Sequence, residues 1–324
     1  MTHPFTKKGN RSSSLYWLST VAGIIAILLW ATNIAYSKSI MEKEGIYFAG
    51  FYVYFFSGIC NMIILLLFFK KPGFFTKLAK LPVSYYAKTG IFFILSNTLL
   101  YFAIGLVSKH EELVIISILN YSWPILIYVF KIPIFRLPYK TGIFISGIIL
   151  SFTGIILAFV QGYTREDIQH IMQAGDDNLL AYLLTFLNAV CWALYSNLTV
   201  KYKTEDDIAG MPVIFFLISL VFFGMLWGKG NVSSISLSLI YTNYELLYQV
   251  VGPTSVGYLF WYIAMKKGNR NLITSLSFFI PVLSVLVIGL KFRVVIGVVF
   301  WIAVMLLIVG SNLCYRSFKT MKTG

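Results

Sequence analysis

Charge is what this 324-residue chain has least of. Only 12% of its residues are Asp, Glu, Lys or Arg, while 58% are hydrophobic; ordinary soluble domains carry roughly 25% charged residues. So few charges leave the outer face of a soluble fold of this length uncovered, which makes the bilayer the expected solvent. Cysteine is equally scarce. Cys60, Cys191 and Cys314 each sit inside an apolar run with no pairing or ligand spacing, which excludes a disulfide framework and a zinc site. His3, His110 and His170 are scattered, and neither an HExxH motif nor a Gly-rich phosphate loop of the Walker type occurs. Primary ATP-driven transport and most membrane enzymology lose their support, and no cofactor or metal is implied.

What is abundant is apolar length. A membrane-spanning helix needs about 20 mainly apolar residues, and ten segments meet or approach that: 15–36, 47–69, 86–107, 112–130, 141–162, 178–200, 211–227, 244–266, 271–290 and 294–315. The first is too long for a signal-peptide core and is expected as a retained span. The expected fold is an all-α integral membrane protein, a single membrane domain over 1–324 with no room for a separate soluble unit. Of the 26 Lys and Arg residues, Lys38, Lys43, Lys109, Arg165, Lys229, Lys291 and Arg293 fall on one side of these spans and the other 19 on the side of the N-terminus. Short loops rich in Lys and Arg stay cytoplasmic, so both termini are expected there. The formal charge of +14 is then a topology signal facing anionic lipid rather than a nucleic-acid footprint.

The connections repeat. Counted from span one they run 10, 16 and 4 residues, and counted from span six again 10, 16 and 4. Trp30-Ala31 corresponds to Trp192-Ala193, and Pro124 in span four to Pro281 in span nine. Five spans per half is an odd number, so the second half, 178–315, is expected upside down relative to the first, 15–162. Residues 163–177, with Glu166, Asp167, Asp176 and Asp177, form the outer linker. Inverted halves rocking about a midplane site are the architecture of secondary transporters.

Several residues point to that site. Proline has no amide hydrogen and crowds the carbonyl four residues earlier, so Pro124 is expected to kink span four and free the carbonyl of Asn120, and Pro281 to do the same to Ser277. Gly252-Pro253 offers a third break, in span eight. Irregular backbone at membrane depth belongs where it faces protein or a cavity. Polar residues in span three, among them Ser96, Asn97 and Thr98, either line a pathway or bond between helices. Trp30, Trp123, Trp192 and Tyr195 lie deep, where rings pack, stack on a flat solute or hold a cation. No ionisable residue other than Tyr or Cys falls near a span centre, which suits a neutral or zwitterionic cargo and disfavours phosphorylated ones. Lys88 and Glu245, near helix ends, are expected to reach the interface. The combined expectation for the binding set is Trp123, Trp192, Tyr195, Asn97, Asn120, Tyr101, Trp30 and Ser277, with Pro124, Pro281 and Pro253 as kink or gating positions.

Leu29-Trp30-Ala31-Thr32, Asn120-Tyr121-Ser122-Trp123-Pro124 and Trp192-Ala193-Leu194-Tyr195, extended by Trp261, Gly268-Asn269 and Pro281, resemble the drug/metabolite transporter superfamily of the EamA type along the whole chain. The resemblance implies a multi-pass exporter of amino acids in a prokaryotic cytoplasmic membrane. It also implies a central cavity lined by the tryptophans of spans four and six, here Trp123 and Trp192. Ile115 and Ile116 stand where some members carry an acidic residue, and His110 matches a family histidine; export is either downhill facilitation or proton antiport. The leading expectation is therefore a monomeric secondary exporter of neutral, aromatic amino acids, whose partners are its small-molecule cargo and the lipid bilayer. The alternatives are efflux of other small metabolites or flat organic cations and drugs, or a polytopic enzyme on a lipid-linked substrate, resting on the acidic turn Glu205-Asp206-Asp207.

Overall fold

The computed structural model describes residues 9–68, 71–162, 177–202, 207–236 and 238–319, and it is built from helices with no strand among those residues. The expected linker, residues 163–176, lies outside the described residues, as do Glu205 and Asp206 of the acidic turn. The helices are α1 (Gly9–Glu44), α2 (Ile46–Phe68), α3 (Lys71–Lys80), α4 (Val83–Leu106), α5 (Glu112–Asn120), α6 (Trp123–Phe135), α7 (Thr141–Gly162) and α8 (Asp177–Tyr202). They continue with α9 (Met211–Gly228), α10 (residues 244–267), α11 (Arg270–Ser277), α12 (Ile280–Phe292) and α13 (Val298–Lys319).

Among the described residues, eight helices are long and apolar enough to cross a membrane, with α5 and α6 counted as one. The two of the expected ten outside that set are 244–266 and 271–290, which fall on α10 and on α11 with α12, and both are interrupted. α10 carries a π-helical stretch, Val250–Val256, around Pro253. α11 stops at Ser277 and α12 starts at Ile280.

Helix ends follow local chemistry. Gly45, with φ +81°, is the single residue between α1 and α2, and its amide closes α1 on the Met41 carbonyl at 2.8 Å; a left-handed residue after a helix favours glycine because no Cβ is crowded. Span four is not one kinked helix. α5 ends at Asn120 and α6 begins at Trp123 with Pro124 in its first turn, the place where a missing amide hydrogen costs nothing. Pro281 takes the same position at the start of α12. Both restarted helices end on an arginine in the left-handed region, Arg136 at φ 51° and Arg293 at φ 57°.

Packing pairs α1 with α10, α4 with α8, α2 with α9, and α7 with α13; α1 also packs on α12, and α8 on α5 and α6. α7 and α13 touch through small residues. A Cβ added at Gly310 would meet Ser151 Oγ at 2.1 Å and the Gly147 carbonyl at 2.4 Å. Close backbone approach through Gly and Ser is how membrane helices associate when lipid is as apolar as their side chains.

Candidate functional site

The two helix breaks, α10 and α8 surround a cavity of about 730 Å³, inside the range of roughly 300–1,000 Å³ typical of small-molecule sites. Its walls include Trp123 and Pro124 from the start of α6, Trp192 and Tyr195 from α8, Tyr258, Trp261 and Tyr262 from α10, and Ser277 and Phe278 at the second break. Beyond Trp123, Trp192 and Tyr258 a pocket of about 60 Å³ continues the space, lined by Trp30, Asn33, Ser96, Asn97, Asn120 and Asn188 among others.

The rings form one connected surface. Trp192 lies 6.3 Å from Trp123, 6.1 Å from Trp30, 5.9 Å from Tyr258 and 5.6 Å from Tyr195 between ring centroids. Trp30 stands 5.1 Å from Trp261 and 5.2 Å from Tyr258, and its indole Nε1 donates to the Pro253 carbonyl at 3.2 Å. The π-helical turn of α10 thus has a use: it turns a carbonyl toward α1, where a tryptophan takes it. Such edge and tilted contacts suit the ring quadrupoles.

The polar groups are amides and hydroxyls. Asn97 accepts from Tyr54 OH at 3.0 Å and Tyr258 OH at 3.3 Å, and donates to the Phe93 carbonyl at 2.9 Å. Asn188 accepts from Ser96 Oγ and donates to Asn120 Oδ1, each at 2.6 Å. Among the described residues no carboxylate lines either space. The charged lining groups, Lys131 and Lys266, stand at the mouth, where Lys131 Nζ is 5.9 Å from the Tyr128 ring and Lys266 Nζ 5.4 Å from that of Tyr262.

The opposite end of the bundle is shut. Gln249 donates to Asn33 and, at 3.2 Å, to Ser37; Ser37 donates to Tyr101 OH at 3.4 Å; and Lys38 reaches the Val107 carbonyl. Glu245 does not reach the interface as its position near a helix end suggested. Its side chain is 3% exposed and accepts from Lys291 at 2.6 Å and from Lys43 and Ser39 at 2.7 Å. Three donors on two other helices outcompete water for a carboxylate that packing already encloses. Lys88 does stay exposed, over the Tyr202 ring. His110 bonds Glu42 at 2.8 Å and stacks on Phe292 at 4.0 Å, so it too belongs to the shut end.

Of the sequence-derived set, Trp123, Trp192, Tyr195 and Ser277 line the larger cavity with Pro124, while Trp30, Asn97 and Asn120 line the smaller pocket. Tyr101 lies outside both, buried against Tyr54 and Phe222. Pro281 is buried behind Ile280, which takes the lining position, and Pro253 contributes its carbonyl to Trp30 rather than a wall. Tyr258, Asn188 and Asn33 were not singled out in the sequence. Helical spacing held the signal: Asn188 is one turn before Trp192, and Asn33 is three residues after Trp30, on the same face.

The chain is similar to known proteins in fold and in sequence. One solved crystal structure superposes with a TM-score of 0.62 at 20% identity, over 95% of this chain and 99% of its own, which is a likeness of fold. The aromatic amino acid exporter YddG of Escherichia coli (strain K12) is 23% identical over 93% of this chain and 98% of its own length. The exporter of the same name from Salmonella typhimurium (strain 14028s / SGSC 2262) is 24% identical over the same shares. Both relatives are named as exporters, and this chain, with its apolar helices of spanning length, is a multi-pass membrane protein. Residues 179–316, in the second half of this chain, match the model of the EamA-like transporter family.

Proposed function

We propose that the protein is a secondary transporter, a monomer in the cytoplasmic membrane, that exports neutral aromatic amino acids by alternating access of two inverted five-helix repeats, 15–162 and 178–315. The observation that carries the reading is the ring-lined cavity around Trp123, Trp192 and Tyr258, which ends in amides and among the described residues is lined by no carboxylate. Rings of that density stack on a flat side chain, amides without net charge suit a zwitterion, and both curated relatives are named for aromatic amino acid export.

The packing supports the repeat. Moving each span to its counterpart five places on turns the pair α1 with α10 into the pair α8 with α4, and leaves α2 with α9 and α7 with α13 unchanged. The breaks before Pro124 and Pro281 and the left-handed caps at Arg136 and Arg293 also correspond. Inversion about an axis in the membrane plane requires such self-paired and exchanged contacts. With the termini cytoplasmic, the mouth beside Lys131 and Lys266 faces the cytoplasm, and the Glu245 end is the closed outer side. Pro124 and Pro281 offer no amide hydrogen to the carbonyls four residues earlier, those of Asn120 and Ser277, which would receive the cargo ammonium.

The same rings also bind flat organic cations, although the two lysines at the mouth repel them. Purified protein in liposomes, preloaded with labelled phenylalanine, tryptophan, threonine and an organic cation in turn, decides between these cargoes. Phenylalanine and tryptophan are expected to exchange; exchange of the cation alone establishes the second reading, and no exchange of any amino acid rejects the first.

A further inference from the structure

The hydrogen bonds at the floor of the cavity run in one direction. Ser96 Oγ on α4 donates to Asn188 Oδ1 on α8, and Asn188 Nδ2 donates to Asn120 Oδ1 at the end of α5, both at 2.6 Å. Ser96 and Asn188 are 2% and 3% exposed. Asn120 is only half-buried and lines the small pocket beside Trp123 and Trp192. A primary amide has one acceptor end and one donor end. With its oxygen turned toward Asn188 and accepting from it, Asn120 turns its NH2 group away from that bond, toward the cargo. Asn120 is also the last residue of α5 before the backbone break, so its side chain is held by this relay rather than by a continuing helix.

We infer that Asn120 is a specificity-determining residue that donates to the carboxylate of the cargo, and that Ser96 and Asn188 are positioning residues that set its polarity. The inference rests on the proposed export reading and narrows it: the site takes aromatic solutes that carry a carboxylate and discriminates against the corresponding amines. A cargo without an acceptor covers the Asn120 NH2 group and leaves it unpaired, and a donor that loses water without gaining a partner is costly. Lys131 and Lys266 at the mouth act in the same sense, since a positive entrance concentrates carboxylates and repels ammonium compounds.

The test uses the intact protein in liposomes, with counterflow of labelled phenylalanine competed by unlabelled phenylalanine, by 3-phenylpropionate, which lacks the amine, and by phenethylamine, which lacks the carboxylate. In the wild type, phenethylamine is expected to compete about tenfold or more weakly than phenylalanine. Asn188→Leu removes the donor that fixes Asn120, so the penalty on phenethylamine should fall to about threefold or less while phenylalanine still exchanges with a raised KM. Ser96→Ala should shift the ratio in the same direction by a smaller factor, and it decides the matter if Asn188→Leu does not elute as a folded protein. A merely structural role for Asn188 would weaken all three competitors equally. That result, or a wild type that binds phenethylamine as well as phenylalanine, overturns the inference and leaves the export reading standing. A wild type that exchanges no amino acid rejects the export reading itself.

Discussion

Glu245 Oε1 accepts from Lys291 Nζ at 2.6 Å, joining α10 to α12 at the end of the bundle opposite the cavity mouth, while the other oxygen of the same carboxylate takes Lys43 Nζ and Ser39 Oγ of α1. One buried carboxylate therefore ties three helices together. Removing one partner of a buried ionic group leaves the others unpaired. Lys43 is 48% exposed and regains water, and Lys291 is 20% exposed, so the cost is moderate. Glu245→Gln should lower stability by about 1–3 kcal/mol, visible as a drop in Tm of the detergent-solubilised protein. Because those contacts tie that end of the bundle together, Asn33→Cys should also react faster with a membrane-impermeant maleimide in the Glu245→Gln background. Unchanged labelling would separate the cluster from gating.

Trp30 tests the tie between α1 and α10. Its indole hydrogen satisfies the Pro253 carbonyl at 3.2 Å inside the π-helical stretch, and Gly257 lies so close that an added Cβ would stand 2.9 Å from Trp30 Nε1. Trp30→Phe keeps an aromatic ring but leaves that carbonyl without its donor, and should cost about 1 kcal/mol in thermal unfolding. Gly257→Ala should displace the indole and weaken cargo exchange, since Trp30 also touches Trp192 and Tyr258. If Gly257→Ala exchanges phenylalanine at the wild-type rate, the indole is not part of the pathway.

Trp123 and Trp192 differ in how much they carry. Trp192 contacts Trp30, Phe93, Trp123, Tyr195 and Tyr258, whereas Trp192 is the aromatic partner found for Trp123 among the described residues. Both Ala variants should lower phenylalanine exchange about tenfold or more, because a stacking surface worth roughly 0.5–1.5 kcal/mol beyond area is lost with the area itself. Trp192→Ala should in addition lower Tm more than Trp123→Ala. Full activity in both variants would remove the aromatic cavity as the cargo site.

The helices and their order were legible because apolar length and Lys/Arg asymmetry are read from single residues in a row. Thr141–Gly162 is bounded as expected, and Met211–Gly228 differs by one residue. The prolines were legible as breaks, yet not the form of the break: a proline tolerated in a first turn lets the chain restart a helix at Trp123 instead of bending one through it. The cavity tryptophans were legible from depth in the span. Tyr101 has the same depth and kind as Tyr195, and only packing against Tyr54 and Phe222 separates wall from core. Glu245 was misread because its partners, Lys43 and Lys291, come from α1 and α12, and a pairing over such sequence distances leaves no local trace. Asn188 was missed for the same reason: its meaning lies in Ser96 and Asn120.

The interface of α7 with α13 is independent of the cargo and predicts a contrast between two glycines. At Gly310 a Cβ would meet Ser151 Oγ at 2.1 Å, the Gly147 carbonyl at 2.4 Å and the Ser151 amide nitrogen at 2.7 Å. Two of these are backbone atoms, which yield only if the helices separate, so overpacking should cost about 1–3 kcal/mol or more. At Gly142, in the first turn of α7, an added Cβ meets nothing within 4 Å. There alanine only removes chain entropy from the unfolded state, and about 0.4–1 kcal/mol of stabilisation is expected. Thermal unfolding in detergent should therefore show Gly310→Ala several degrees below the wild type and Gly142→Ala level with it or above. Equal behaviour of the two variants would mean that α7 and α13 are not held by close backbone contact, and that their pairing depends instead on the larger side chains flanking the small-residue seam.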